Sequence, residues 1–278
     1  MAEGRAVTLP RTCWWDMRAG GDPARAHRIL LAWPEGPPPP GGFPALLLTD
    51  GNATFATAVD AARARAWRGT AADIAPGLII GLGHAGEEPF DIPARSRDYT
   101  PSLPGAPEGM GGADAFLDFI ETELLPAIGR HAPLDRTRLA LFGHSFGGLL
   151  ALHALFTRPA LFSRLVSASP SLWWAGGAVM EAAREFAAAP PAEARGAALL
   201  LTVGGAEGRE RGPHAALHAE RRMAGNARDL AALLRGRGPT LDFVEFPGET
   251  HGSVIPAAIA RALPFALPHD VPLPGTPA

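Results

Sequence analysis

Leu139-Ala140-Leu141-Phe142-Gly143-His144-Ser145-Phe146-Gly147-Gly148 carries a change of periodicity from which the rest of this 278-residue chain can be read. The apolar run Leu139 to Phe142 has the length and composition of a buried strand, and the run from Gly148 to Thr157 that of a helix. Between them lies Gly-x-Ser-x-Gly. A serine hydroxyl is a poor nucleophile unless it is held in the open beside a base. A sharp turn at the C-terminal end of a strand lifts Oγ above the sheet, and glycines let the backbone bend that tightly. The N–H of Phe146 then opens the following helix and faces a developing oxyanion. Glycine is abundant (33 of 278 residues), so the pattern alone also occurs by chance. The strand before it and the helix after it are what make Ser145 a candidate nucleophile.

Outward from this turn, apolar runs alternate with helical patterns. Strands are expected at His27 to Trp33, Ala45 to Leu48, Leu78 to Ile80, Arg138 to Phe142, Arg164 to Ser169, Ala198 to Val203 and Leu241 to Phe246. Helices are expected at Ala53 to Arg68, Ala113 to Ile128, Phe146 to Thr157, near Gly177 to Ala188, and at Arg222 to Arg235 and Val254 to Ala266. Phe116, Ile120, Leu124 and Ile128 recur every four residues, with Asp118, Glu121 and Glu123 between them, the pattern of an amphipathic helix. Ala85 to about Gly112 is read as a long loop and Pro268 to Ala278 as a tail. The alternation implies an α/β fold with a mostly parallel central sheet and helices on both faces. No repeat or break in composition divides the chain, so residues 1–278 are read as a single domain with a core of about 13–266 and a tail over 267–278.

The bulk numbers exclude other classes. Hydrophobic residues are 47% and charged residues 19% of the chain, enough for a sizeable core. Net charge is −3, so no basic field favours nucleic acid. Cys13 is the single cysteine and has no partner for an internal disulfide. The polar stretch Met1 to Pro10 lacks the apolar centre of a secretory signal, and no window reaches a membrane-spanning length. The expectation is a cytoplasmic protein with no membrane partner.

In open parallel sheets, ligands bind beyond the C-terminal ends of the strands. The last strand ends at Pro247-Gly248-Glu249-Thr250-His251-Gly252, and the strand before it at Gly204-Gly205-Ala206-Glu207. Serine, acid, histidine is the chain order of α/β-hydrolases. His251 is the candidate base, alone among the nine histidines in lying in a glycine-flanked loop after the final strand. His144 is expected to point elsewhere on the turn and His153 to pack on its helix; His84, His214 and His218 lie in other candidate loops. Glu207 is the candidate acid that fixes the His251 tautomer. Glu210 and an unaided Ser–His dyad stay open beside it, and Glu249 is read as solvated. After the early strand ending at Asp50, the N–H of Gly51 or Asn52 supplies the second oxyanion donor, joining that of Phe146.

Five blocks in order extend the reading: Leu48-Thr49-Asp50-Gly51-Asn52-Ala53-Thr54-Phe55, Arg95-Ser96-Arg97-Asp98-Tyr99-Thr100-Pro101, Gly143-His144-Ser145-Phe146-Gly147-Gly148, Ser167-Ala168-Ser169-Pro170-Ser171-Leu172-Trp173-Trp174 and His251-Gly252-Ser253-Val254. Together, from about Cys13 to Leu263, the chain resembles the putative-esterase family of α/β-hydrolases, and within it the ferric-siderophore (enterobactin and salmochelin trilactone) esterases. The resemblance implies a serine esterase that works through an acyl-enzyme with no metal and no organic cofactor on a small-molecule ester. Ser145 matches the nucleophile, His251 the base, and Glu207 the acid of a Gly-x-x-Glu segment. The related mycolyltransferases use the same machinery for acyl transfer, and a plain short-chain carboxylesterase would carry it too. Trp173 and Trp174, after a strand end, are candidates for an apolar wall of the substrate pocket, with core packing the alternative. Arg95 is a candidate contact for an anionic substrate, while Asp98 and Tyr99 are expected to brace the loop. A homodimer is compatible with the sequence but not specified by it.

Overall fold

A computed structural model describes residues 4, 7–67, 69, 72–209 and 215–269. Its eight strands are β1 (Thr12–Arg18), β2 (Ala26–Ala32), β3 (Phe43–Thr49), β4 (Leu78–His84), β5 (Leu134–His144), β6 (Arg164–Ala168), β7 (Ala198–Gly204) and β8 (Thr240–Phe246). They form one sheet in the order β1-β2-β4-β3-β5-β6-β7-β8. The β1/β2 and β2/β4 pairs are antiparallel, and every other pair is parallel. This is the mostly parallel α/β sheet expected from the alternation of elements, in the α/β-hydrolase arrangement that the resemblance implies.

Alternation along each strand divides two cores. Leu47, Ile80, Leu141, Leu165, Leu199 and Leu201 face one side, where α3 (Ala113–Phe119), α4 (Leu125–His131), α5 (Phe146–Thr157), α6 (Ala178–Ala188) and α8 (Met223–Leu234) cover them. Leu46, Leu48, Ala140, Phe142, Val166 and Leu200 face the other side, against α1 (Gly51–Ala66) and α9 (Val254–Ala266). A strand buried on both faces reads as a continuous apolar run, which is why Phe43–Thr49 and Leu78–His84 contain no outward polar position.

The structure corrects several boundaries. The segment read as a loop from Ala85 to Gly112 contains α2 (Ile92–Tyr99), started by the Asp91 carboxylate accepting the Ala94 N–H at 3.0 Å. Its buried residues include Arg95, Ser96 and Asp98, so the polar composition that suggests a loop belongs to a helix turned inward. β1 was not expected: it is an edge strand with mixed exposure and no apolar period. The amphipathic helix runs on to His131, with a π turn at Ile120–Leu124 between α3 and α4. The short helix α7 (Ala215–Glu220) precedes α8. Most of the expected tail, residues 270–278, lies outside the described residues.

Candidate active site

The parallel strands bring five segments to one end of the sheet. β5 ends at His144, and Ser145 follows with φ 61° and ψ −115°, a region that L residues rarely occupy. The turn holds because its neighbours leave no choice. A Cβ on Gly143 would lie 2.0 Å from the Gly147 carbonyl oxygen, and one on Gly147 would lie 2.1 Å from Thr49 Oγ1. The Ser145 N–H donates to the Ala168 carbonyl at 2.9 Å, which ties the turn to β6. α5 starts at Phe146, and its first amide with a partner inside the helix is that of Leu149, bonded to the Ser145 carbonyl at 3.0 Å. The Phe146 and Gly147 amides are therefore among those at the helix start without an intrahelical acceptor.

Ser145, Ser171, Trp173, Glu207 and His251 line one recess of about 50 Å³. His251 Nδ1 lies 2.8 Å from Oε2 of Glu207. Glu207 is 5% exposed, and its other oxygen accepts the Gly204 N–H at 2.8 Å and the Ser169 hydroxyl. This arrangement gives both carboxylate oxygens donors and assigns the Nδ1 proton of His251 to the Glu207 side. Glu210 falls outside the described residues, as does His214.

Sequence reasoning missed three partners. Ser171 Oγ sits 3.1 Å from Ser145 Oγ. Ser169 holds Glu207 from β6, a role that only pairing of β6 with β7 creates. His144, expected to point away, packs its ring 4.5 Å from that of His251. Burial, aided by the nearby His251 and Arg95, holds His144 well below the ordinary imidazole value, so it stays a neutral wall beside His251.

On the other side of Ser145, β3 is followed by Asp50, left-handed at φ 52°, and α1 begins at Gly51. Ala53 and Thr54 donate to the Asp50 carbonyl at 2.8 and 3.1 Å, so the Gly51 and Asn52 amides are the ones turned outward at the helix start. Gly51 is required there, since a Cβ would come within 2.7 Å of the Gly81 backbone. The Asn52 side chain turns elsewhere: its Nδ2 donates to the carbonyls of His84, Gly86 and Glu88 at 3.2, 2.9 and 3.1 Å.

Two expected substrate contacts are corrected. Arg95 is 7% exposed and its guanidinium is bound bidentately to Asp50, so it does not stand at the mouth. Trp174 is 3% exposed and belongs to the main core. Trp173 does line the recess, with its ring 6.3 Å from that of Phe146. Behind Arg95 the expected bracing residues are in place: the Tyr99 hydroxyl accepts the Asp50 N–H at 3.1 Å, and Asp98 is fully buried with Arg97 bonded to both of its oxygens at 2.8 Å. His84 Nε2 and His27 Nδ1 lie 3.8 and 4.0 Å from Asp98 Oδ2.

The family model described as putative esterase matches residues 23–254. The ferri-bacillibactin esterase BesA of Bacillus subtilis is 35% identical, over 96% of this chain and 93% of its own. The siderophore triacetylfusarinine C esterase of Aspergillus fumigatus is 38% identical, over 87% of this chain and 89% of its own. The solved siderophore hydrolase EstB of Aspergillus nidulans superposes with a TM-score of 0.84 at 30% identity, covering 98% of this chain and all of that one. With this match along nearly its whole length, the chain belongs to the putative-esterase family of α/β-hydrolases and is an enzyme that hydrolyses ester bonds.

Proposed function

We propose that this protein is a siderophore esterase in which Ser145, His251 and Glu207 form the triad. The supporting observation is the recess itself, in which a strained Ser145 at a strand-to-helix turn shares one small cavity with a His251 that is held by a buried Glu207. The Nε2 of His251 takes the Ser145 proton as Oγ attacks the ester carbonyl. The Phe146 amide and that of Asn52 or Gly51, each at the start of a helix, hold the oxyanion. His251 then protonates the departing alkoxide, and the acyl-enzyme is hydrolysed by water activated the same way. Glu207 keeps the imidazole in the useful tautomer and stabilises the imidazolium.

The siderophore substrate is carried by relatives named as esterases of ferri-bacillibactin and of triacetylfusarinine C. The recess of about 50 Å³ suits one ester linkage at a time, with the bulk of a large substrate outside. The catalytic unit is proposed to be the single domain of about residues 13–266, and the compartment the cytoplasm, where a lone thiol at Cys13 is ordinary. No helix among the described residues is long and apolar enough to cross a membrane. The test is a kinetic comparison of p-nitrophenyl esters with a ferric trilactone siderophore. A much higher kcat/KM on the trilactone supports the assignment. Fast turnover of short esters with no trilactone cleavage replaces it with a general carboxylesterase.

A further inference from the structure

Arg221 occupies the one turn of the recess not yet accounted for. It sits between α7 and α8, where Arg222 is left-handed at φ 46° and the Asn226 Nδ2 donates to the Arg221 carbonyl at 3.1 Å. This corner turns the Arg221 side chain back over the site. Its Cζ lies 4.1 Å from the centre of the Trp173 ring, and the residue lines the recess together with Ser145 and His251.

Among the described residues the guanidinium has no carboxylate partner. Among the described residues, Arg95 pairs with Asp50, Arg97 with Asp98 and Arg228 with Glu245, whereas Arg221 makes no ion pair. Its Nε is buried and lacks a hydrogen-bond partner. Glu207, the acid nearest in the recess, is committed to His251, Ser169 and Gly204. A stacked, half-desolvated cation is weakly hydrated and presents planar N–H donors along its edge, which suits an oxyanion with delocalised charge. Stacking on Trp173 fixes the plane of those donors before a ligand arrives.

We propose that Arg221, seated on Trp173, is a specificity-determining residue that accepts the anionic face of the substrate. It thereby selects a ferric tris-catecholate, a trianion, over a neutral ferric tris-hydroxamate. This deepens the siderophore-esterase reading and rests on it for the identity of the ester. The cation gives a neutral chelate nothing to discharge.

The experiment has two arms. In the first, kcat/KM is measured for the wild type and for Arg221→Met on a ferric catecholate trilactone, a ferric hydroxamate ester and p-nitrophenyl acetate. Methionine keeps an unbranched apolar stem against Trp173. The ratio of the trianion value to each neutral value falls about tenfold or more in the variant, through KM, as expected for loss of one charge-assisted contact. Rising salt erases the wild-type preference and leaves the variant unmoved. Equal losses on all three substrates, or no change in the ratios, overturn the assignment. In the second arm, binding of each ferric chelate to Ser145→Ala and to Ser145→Ala/Arg221→Met is followed by tryptophan fluorescence. Tight, Arg221-dependent binding of the trianion without wild-type turnover supports the anion site and overturns the siderophore-esterase reading. Arg221-independent binding with turnover does the reverse.

Discussion

Arg95 and Asp50 form a bidentate ion pair beneath Ser145, Nε to Oδ1 at 2.9 Å and Nη2 to Oδ2 at 3.0 Å, and the same Nη2 reaches the His144 carbonyl at 3.4 Å. One guanidinium thus fastens the turn after β3 to the strand that carries Ser145. Asp50 is 2% exposed and left-handed, and its N–H is held by Tyr99. These contacts fix where the Gly51 and Asn52 amides point relative to Oγ. Removing Arg95 leaves a buried carboxylate without its countercharge. Arg95→Met is expected to destabilise the fold by about 3 kcal/mol. In the folded fraction it is also expected to lower kcat more than it raises KM, because a displaced amide is felt at the oxyanion. Arg95→Lys fails to restore activity, since a point charge cannot make the two-pronged contact. A variant with normal kcat at a temperature where it is folded would remove the link to the oxyanion.

Gly147 gives a test by steric rescue. Gly147→Ala places a methyl 2.1 Å from Thr49 Oγ1. Overpacking of this kind disfavours the fold by about 1–3 kcal/mol and shifts the helix start. Thr49→Ala in the same chain removes the oxygen and is expected to recover most of the lost melting temperature and part of the activity. Failure of the double variant to gain on the single one would place the strain elsewhere, in the backbone at Gly143.

The members of the proposed triad separate by magnitude. Ser145→Ala is expected to reduce ester turnover by about 10⁵-fold or more without changing the melting temperature. Glu207→Gln keeps the shape but offers an amide where three donors converge. A loss of about 10²–10⁴-fold in kcat is expected. A loss under tenfold would mean that Ser145 and His251 act as a dyad, with Glu207 serving to anchor β7 through Ser169 and Gly204.

The sheet was legible, and so was the gathering of Ser145, His251 and Glu207 in one recess, because each rests on local signals. A run such as Ala198–Gly204 is buried from its second residue on, and Gly143 and Gly147 stand where the backbone admits no Cβ. What was not legible depends on contacts across many residues. Arg95 reads as a cation in a polar loop, and only the folding of α2 against Asp50, 45 residues earlier, makes it an internal brace. Trp173 and Trp174 are adjacent and chemically identical, yet the turn after β6 buries Trp174 in the core and leaves Trp173 half on the core and half in the recess. His144 faces His251 because β8 delivers its loop over the end of β5, which no spacing in the chain reveals. Ser169 and Ser171 are ordinary serines until the strand order sets them beside Glu207 and Ser145.

Acid stability follows from the buried cluster under α2. His27 is 1% exposed, with its ring packed against Phe116 and Phe119 at 5.1 and 4.9 Å between centres, and both of its nitrogens lack hydrogen-bond partners. Burial lowers it from 6.5 to about 4, against the pull of Asp98. Burial works to raise Asp98, but His84 and Arg97 outweigh it and bring it from 3.8 to about 2. Both groups bind fewer protons folded than unfolded, so both make stability fall as pH falls. The His27 contribution is complete above pH 6.5 and disappears between 6.5 and 4, and that of Asp98 disappears between 3.8 and 2. From pH 7 to pH 5 the His27 share alone amounts to about 2 kcal/mol. Urea unfolding at the two pH values is expected to show this loss in the wild type. His27→Phe, which fills the same ring-shaped space with a group that does not titrate, is expected to lose about 2 kcal/mol less over the same interval. Parallel pH curves for the two proteins would show that His27 takes up its proton in the folded state as readily as in the unfolded one, and the acid sensitivity would then belong to His144, the other buried imidazole held neutral.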